Sequence, residues 1–298
     1  MRVLCFGSLN IDYTYKVDHF VGKGETLSSE SLQVFSGGKG LNQSIALAKA
    51  GADTYHAGAI GEDGRFLLKI MEDAGVHTEY VAELPDVRTG NAIIQNDREG
   101  DNCILLYGGA NQAVTQEQVD EVLSHFQAGD FLVLQNEINE LEYIVRKAHE
   151  KKMKIVLNPS PMNEKVTALP LDFVDYFMLN EVEAGQILGR AVQDGYDGEA
   201  LASALLARFP DAAVVLTLGG DGSVYMDRKK TIRQPVYKVK AVDTTAAGDT
   251  FTGFFIGGIM NGLTVNEAMD QASRAAAIAV TRQGAAPSIP LLEEVKQF

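Results

Sequence analysis

Only two cysteines, Cys5 and Cys103, occur in the 298 residues of this chain. Two are too few for a disulfide framework, and a reducing compartment, the cytosol, is the simpler expectation. Cys5 sits in the apolar run Val3–Phe6 and reads as a small core residue. Basic residues are also scarce: 26 Lys and Arg stand against 40 Asp and Glu, for a formal net charge of −14. That balance argues against nucleic acid and anionic membranes as partners. The one short basic cluster, Arg228-Lys229-Lys230, falls between expected strands and reads as a solvated turn. No apolar run is long enough to span a bilayer. Val3–Phe6, soon followed by Asp12, is too short for a secretory h-region. His19, His56, His77, His125 and His149 are scattered without ligand spacing, so zinc chemistry is not expected. Two common nucleotide fingerprints are missing. No Gly-x-x-x-x-Gly-Lys-Ser/Thr occurs, and Gly7-Ser8-Leu9-Asn10 stands where Gly-x-Gly-x-x-Gly would follow the first strand.

What is present is an α/β alternation, with apolar content normal for a globular chain able to bury a sizeable core. Strands are expected at Val3–Phe6, Thr54–Ile60, Phe131–Leu134, Ile155–Leu157, Val174–Leu179 and Val214–Leu218. Helices are expected at Leu41–Ala50, Arg65–Ala74, Glu140–Lys151, Val182–Leu188 and Glu199–Phe209, and Thr115-x-x-Gln118 reads as a capping box opening a helix to Phe126. The pattern implies a doubly wound, mostly parallel central sheet with helices on both faces. Tyr13–Phe35 and Thr89–Tyr107 break it as extended segments without helices, and Asp97–Asn102 reads as a hairpin turn. Val224–Val239 reads as late strands.

Asp243-Thr244-Thr245-Ala246-Ala247-Gly248-Asp249-Thr250-Phe251 carries the most chemistry. Ala246, Ala247 and Gly248 are small enough for a ligand to approach their backbone, and Gly248 tolerates the φ of a tight turn. Phe251, Phe254, Phe255 and Ile259 recur at helical spacing, with Asn261-Gly262 as the stop. The first amides of that helix lack internal partners and attract phosphate. Asp249 reads in two ways there: as a helix cap, or as a base that takes a proton from a hydroxyl attacking a phosphoryl group. Ser36-Gly37-Gly38-Lys39-Gly40-Leu41-Asn42-Gln43 is a second glycine-rich helix opening, suited to a polyhydroxylated or anionic ligand. Asn10, Asn158, Asn180 and Thr217 fall at or just past strand ends, where ligands of doubly wound sheets bind.

Gly37-Gly38-Lys39-Gly40-x-Asn42 and Asp243-Thr244-x-Ala246-Ala247-Gly248-Asp249 together resemble the two signatures of the ribokinase family, the phosphofructokinase-B-like carbohydrate kinases. The resemblance runs nearly end to end, through Gly7-Ser8-Leu9-Asn10-Ile11-Asp12, Gly109-Ala110-Asn111, Leu157-Asn158-Pro159, Asn180-Glu181-x-Glu183 and Thr217-Leu218-Gly219. It implies a single domain over 1–298, with a small β-sheet lid formed by insertions at about 13–35 and 89–107 that is often also a homodimer interface. It implies a kinase that transfers phosphate from ATP with Mg²⁺, and K⁺ as activator, to the primary hydroxyl of a pentose, D-ribose first. Another free sugar, a nucleoside, or a non-catalytic sugar or nucleotide sensor are the alternatives. Asp249 corresponds to the base, with the amides of Ala246, Ala247 and Gly248 as anion hole. Asn10, Asp12, Gly38, Lys39, Asn42 and Glu137 correspond to sugar-binding positions. Asn180 and Glu183 correspond to the Mg²⁺–phosphate motif, and Thr217, Gly219, Asp221 and Gly222 to the nucleotide loop. Asp243, Thr245, Ala279, Arg282, Gly284 and Ser288 correspond to a monovalent-cation site.

Overall fold

A computed structural model describes residues 1–190 and 197–298. In chain order the strands are β1 (Val3–Phe6), β2 (Asn10–Lys16), β3 (Ser31–Gly37), β4 (Thr54–Ile60), β5 (His77–Glu83), β6 (Gly90–Asn96), β7 (Asn102–Tyr107), β8 (Phe131–Gln135), β9 (Lys154–Asn158), β10 (Tyr176–Asn180), β11 (Ala213–Thr217), β12 (Ser223–Met226) and β13 (Thr231–Gln234). The helices are α1 (Lys39–Lys49), α2 (Arg65–Asp73), α3 (Gln116–Ser124), α4 (Leu141–Glu150), α5 (Glu164–Thr167), α6 (Glu181–Ile187), α7 (Gly198–Arg208), α8 (Ala247–Met260), α9 (Val265–Ala279) and α10 (Leu292–Gln297).

Nine strands form the central sheet in the order β13-β12-β11-β10-β9-β8-β1-β4-β5. All its pairings are parallel except β11–β12 and β12–β13. Its strands are apolar on both faces, as a helix-covered parallel sheet requires. Val3 and Cys5 of β1 join Val133, Val156, Met178 and Val215 under α1, α8 and α9. Leu4 and Phe6 face the other way, with Leu132, Leu134, Leu157 and Phe177 under α3, α4 and α7. The order reverses between β1 and β8, which places the ligand crevice outside their carboxyl ends.

The second sheet is the lid, in the order β3-β2-β6-β7. Its first strand begins earlier than expected. β2 opens at Asn10, so Asn10 and Asp12 are lid-strand residues rather than residues beneath the lid. The turn Asp97–Asp101 joins β6 to β7 as a hairpin, closed by Asp97 N–H to Asp101 O at 3.1 Å. Leu32, Val34, Ile93, Leu105 and Tyr107 leave an apolar face of this sheet exposed, and Ile104 and Leu106 are exposed on the opposite face, which also carries Asp12.

Three local expectations are corrected. β5 has no counterpart in the sequence reading; it is an edge strand whose residues are only half-buried, so it lacks a strong apolar signal. The late strands end at Gln234, and Val236–Val239 form a cavity wall instead. At α3 only half of the capping box exists. Thr115 Oγ accepts from Gln118 N, but the Gln118 amide turns away to Gly58 O at 2.8 Å. Among the described residues no helix is long and apolar enough to cross a membrane.

α1 and α8 cross at contact distance because both carry small residues. A Cβ on Gly253 would stand 2.8 Å from Ala46 carbonyl carbon and Leu47 N, and one on Gly257 2.7 Å from Ala50 Cβ. The Gly253→Val variant is therefore expected to lose about 1–3 kcal/mol through overpacking. Thermal denaturation should register this as a Tm several degrees lower; an unchanged Tm would mean that the helices separate at no cost.

Candidate active site

Asp249 is the third residue of α8 and nearly buried, at 6 % exposure. Its carboxylate does not cap the helix. Oδ2 accepts from Asn42 Nδ2 at 3.1 Å and Oδ1 from Gln43 Nε2 at 2.9 Å, both on α1. The N-cap is Ala246, held at φ 60°. The tight turn thus falls on an alanine and not on Gly248, which is helical; left-handed backbone at a non-glycine residue costs about 1–2 kcal/mol. A Cβ on Gly248 would meet nothing within 4 Å, so its face toward the cleft is open. Ala247 N–H donates to Thr244 O at 3.2 Å. The amides of Gly248 and Asp249 have no partner among the described residues and supply free donors beside the carboxylate.

The second glycine-rich segment lies alongside. A Cβ on Gly40 would stand 2.7 Å from Gly7 Cα, so both glycines are required where α1 starts against the end of β1. Gly38 has φ 95° and would meet Ser8 O at 2.9 Å. Lys39 N–H donates to Glu137 Oε2 at 2.9 Å, and Ser8 Oγ donates to the same oxygen. Asn10 Oδ1 accepts from Asn111 Nδ2 at 2.7 Å, and Asn111 Oδ1 accepts from Leu9 N at 3.0 Å. This fixes the Asn10 amide with its NH₂ group free to donate. Asp12 approaches Gly37 so closely that any side chain there would collide with its carboxylate. Burial, with Glu137 nearby as a second negative charge, pushes the Asp12 carboxyl up to about 6. Asn10, Asp12, Gly38, Lys39, Asn42 and Glu137 therefore form one polar cluster where β2 and β3 of the lid meet the start of α1.

A cleft of about 220 Å³ runs from Lys39 and Asp249 past Asn158, Ser160, Asn180, Glu183, Thr217 and Thr244. It meets a larger, more apolar cavity of about 890 Å³ walled by Val182, Gly219, Gly222, Val236, Val239, Phe251 and Ala277. Asn180, Thr217, Thr244, Ala247 and Gly248 line both. Asn180 and Glu183 form a complete capping box, with Glu183 N to Asn180 Oδ1 at 2.9 Å and Asn180 N to Glu183 Oε2 at 3.0 Å. Both the cap and the cleft positions are therefore real. Asp221 stands exposed on its turn, away from the cavity walls. Burial alone would lower the Lys39 ammonium, but the carboxylates of Asp249, Glu137 and Glu183 outweigh it and hold its pKa above the ordinary lysine value. Lys39 is thus a permanent cation on the wall of the cleft.

The residues expected around a monovalent cation are also gathered. Asp243 Oδ1 accepts from Thr245 N at 2.9 Å and Oδ2 from Gly284 N at 2.9 Å. Burial opposes its ionisation, yet these donors and the Thr245 hydroxyl prevail and keep the carboxyl below its usual range. Ala279 O accepts from Arg282 N at 3.0 Å, and Ser288 is fully buried with its hydroxyl donating to Ala285 O. The Arg282 side chain turns away to Glu294 at 2.5 Å, leaving only its backbone at the loop. The groups these residues could offer a cation, a carboxylate, a hydroxyl and backbone carbonyls, are all hard oxygen donors. The described residues hold no cluster of three or more His, Cys, Asp or Glu suited to a metal.

Ser8, Gln43, Asn111, Gln135 and Thr244 belong to the site without having been singled out. Four of them lie inside segments already recognised as informative, Gln135 outside them, and only their contacts in the fold reveal them.

A carboxylate held by two amides, free helix-start amides and a fixed cation, gathered on one polar cleft that meets an apolar cavity, fit a phosphotransferase acting on a hydroxyl group. The chain belongs to the pfkB family of carbohydrate kinases, whose description, pfkB family carbohydrate kinase, matches over residues 1–292. A ribokinase of Staphylococcus aureus (strain COL) is 36 % identical over 304 residues, covering 99 % of each chain. The crystal structure of a ribokinase from Cryptococcus neoformans in complex with ADP superposes with a TM-score of 0.86 at 32 % identity, covering 99 % of each chain. That of Arabidopsis thaliana ribokinase complexed with ribose and ATP gives a TM-score of 0.86 at 28 % identity, covering 99 % of this chain and 97 % of that one.

Asp12 provides a pH test. Its carboxyl is raised from 3.8 to about 6, so the folded state binds more protons than the unfolded state between those values and stability falls as pH rises through about 6. Asp12→Asn removes that penalty. Its Tm should exceed that of the unmodified protein at pH 7.5, with the gap closing as pH falls towards 4. A gap independent of pH would show that Asp12 carries no such strain.

Proposed function

We propose that this chain transfers the γ-phosphoryl group of ATP to the primary 5-hydroxyl of D-ribose, giving D-ribose 5-phosphate and ADP. The observation that carries this reading is Asp249, clamped by two amides beside two free backbone amides at the junction of the two compartments. The sugar occupies the pocket of Asn10, Asp12, Gly38, Lys39, Asn42 and Glu137. Its carboxylates accept from paired hydroxyls, while Lys39 and the Asn10 NH₂ group donate. No arginine lines the cleft among the described residues, which suits a free sugar better than a sugar phosphate. The base and ribose of ATP fill the larger cavity, with Thr217, Gly219 and Gly222 along the loop at its wall and Asp221 at the solvent edge.

As the 5-hydroxyl oxygen bonds to the γ-phosphorus, Asp249 takes its proton and the bond from phosphorus to the bridging oxygen of ADP breaks. The Gly248 and Asp249 amides, with that of Ala246 at the same turn, and the Lys39 ammonium meet the charge on the transferring group, whereas the Ala247 amide expected beside them is engaged by Thr244 O. Glu183 would hold Mg²⁺ through its Oε1, since Oε2 is engaged in the cap, and bound phosphates and water would complete the shell. Mg²⁺ there would neutralise phosphate charge. K⁺ fits the oxygen set of Asp243, Ser288 and the backbone of Thr245, Ala279, Arg282 and Gly284, directly behind the anion-binding turn. The exposed apolar lid face supports a homodimer.

The first experiment is ADP release with ATP, Mg²⁺ and K⁺ over ribose, deoxyribose, fructose, fructose phosphates and nucleosides. Ribose should be turned over far faster than the rest; another preferred substrate would overturn the sugar, and binding without turnover would favour a sensor. Asp249→Asn should lower kcat about 10²–10⁴-fold while ribose binding measured by calorimetry persists. Near-normal turnover in that variant would remove Asp249 from its role. For the lid, Leu105→Glu should convert a dimer to a monomer in sedimentation, and an unchanged sedimentation coefficient would refute that interface.

A further inference from the structure

Behind Asp249 lies a buried polar chain that touches neither compartment. Gln43 and Gln135 are both fully buried. Gln43 Nε2 donates to Asp249 Oδ1 at 2.9 Å, and Gln135 Nε2 donates to Gln43 Oε1 at 2.7 Å. Gln135 Nε2 also approaches Cys5 Sγ at 3.5 Å, and the Cys5 thiol donates to Gly40 O at 3.4 Å. The chain joins α8, α1, β8 and β1.

We propose that Gln43 and Gln135 are positioning residues for phosphoryl transfer: Gln43 fixes the orientation of the Asp249 carboxylate, and Gln135 fixes which end of the Gln43 amide faces it. The proposal rests on the reading of Asp249 as the base. A carboxylate turns easily about its terminal torsion, which is broad and two-fold. Asn42 on Oδ2 and Gln43 on Oδ1 pin both oxygens and leave lone pairs on each to receive the hydroxyl proton. A carboxylate oxygen only accepts, so the Gln43 amide must present its NH₂ group, and its carbonyl then points the other way. Gln135 satisfies that carbonyl with a donor and thereby excludes the reversed amide, which would set one oxygen against another. Burial pushes the Cys5 thiol up to about 11, so the far end of the chain stays neutral. Burying polar groups in an apolar core costs free energy unless each is paired. Two glutamines where leucine or methionine would fill the space point to a requirement at Asp249.

The test uses Gln43→Met and Gln135→Met, which keep length and remove the amides. On the sugar that the unmodified protein phosphorylates, Gln43→Met should lower kcat about 10–100-fold, the scale of a small misplacement of a catalytic group. KM for the sugar should be little changed, because its pocket is untouched. Gln135→Met should lower kcat in the same direction by less, and the double variant should be no worse than Gln43→Met alone, since the two act in series. A folded Gln43→Met with kcat within about twofold of the unmodified protein, a matching rise in KM, or additive losses would overturn the proposal. A second readout needs no substrate. The carboxamide protons of Gln43 and Gln135, assigned by their loss in the two variants, should exchange slowly with solvent in the nuclear magnetic resonance spectrum. Free exchange would overturn the relay even if every sugar proved inert, an outcome that would separately sink the kinase reading.

Discussion

The site depends on the close crossing of α1 and α8. Gly253 and Gly257 pack onto Ala46 and Ala50 with no room for a side chain between them. At that separation the two helix starts lie side by side, and short amides on α1 reach a carboxylate on α8. Asn42 and Asp249, 207 residues apart in sequence, meet at 3.1 Å only because nothing larger holds the helices apart. Each helix start brings its own ligand chemistry: a glycine turn against the end of β1, and free amides beyond the left-handed Ala246. The crossing makes them a single place.

A chain of net charge −14 must handle anionic ligands locally. Its carboxylates in the site are held in four different ways. Asp12 is buried against Glu137 without a compensating cation, and its proton is held to about 6. Glu137 is tied by Ser8 and the Lys39 amide. Glu183 gives one oxygen to a helix cap and shows the rest to the cleft. Asp249 is met by two side-chain amides. Lys39 sits among Asp249, Glu137 and Glu183 and stays charged in spite of burial. Four carboxylates of two common residue types and one fixed positive charge are thus set apart by environment alone.

Full-length similarity establishes the family, whereas the amide network explains how one of its acidic residues is held without a neighbouring arginine or lysine within bonding distance. The lid follows the same logic of placement. Because β2 begins at Asn10, a single strand belongs to the lid sheet and carries Asn10 and Asp12 of the polar cluster.

Much of the fold was legible in the sequence. Thr54–Ile60 appeared within its expected limits, and the helices and strands alternated as their apolar periodicity required, because a strand buried on both faces must be apolar throughout. β5 escaped notice because an edge strand is only half covered and needs no such run. The helix starts at Lys39 and Ala247 were readable from glycine and small-residue spacing, which acts over a few residues. Sequence alone left open whether Asp249 caps its helix, which its side chain does not, placed the tight turn on Gly248 rather than Ala246, and gave no sign of Gln43, Gln135, Ser8 or Asn111 as partners. Those features were decided by the tertiary structure. A backbone angle depends on what packs around the turn, and a hydrogen bond between residues a hundred or more positions apart exists only once helices and sheet have fixed the distance between them.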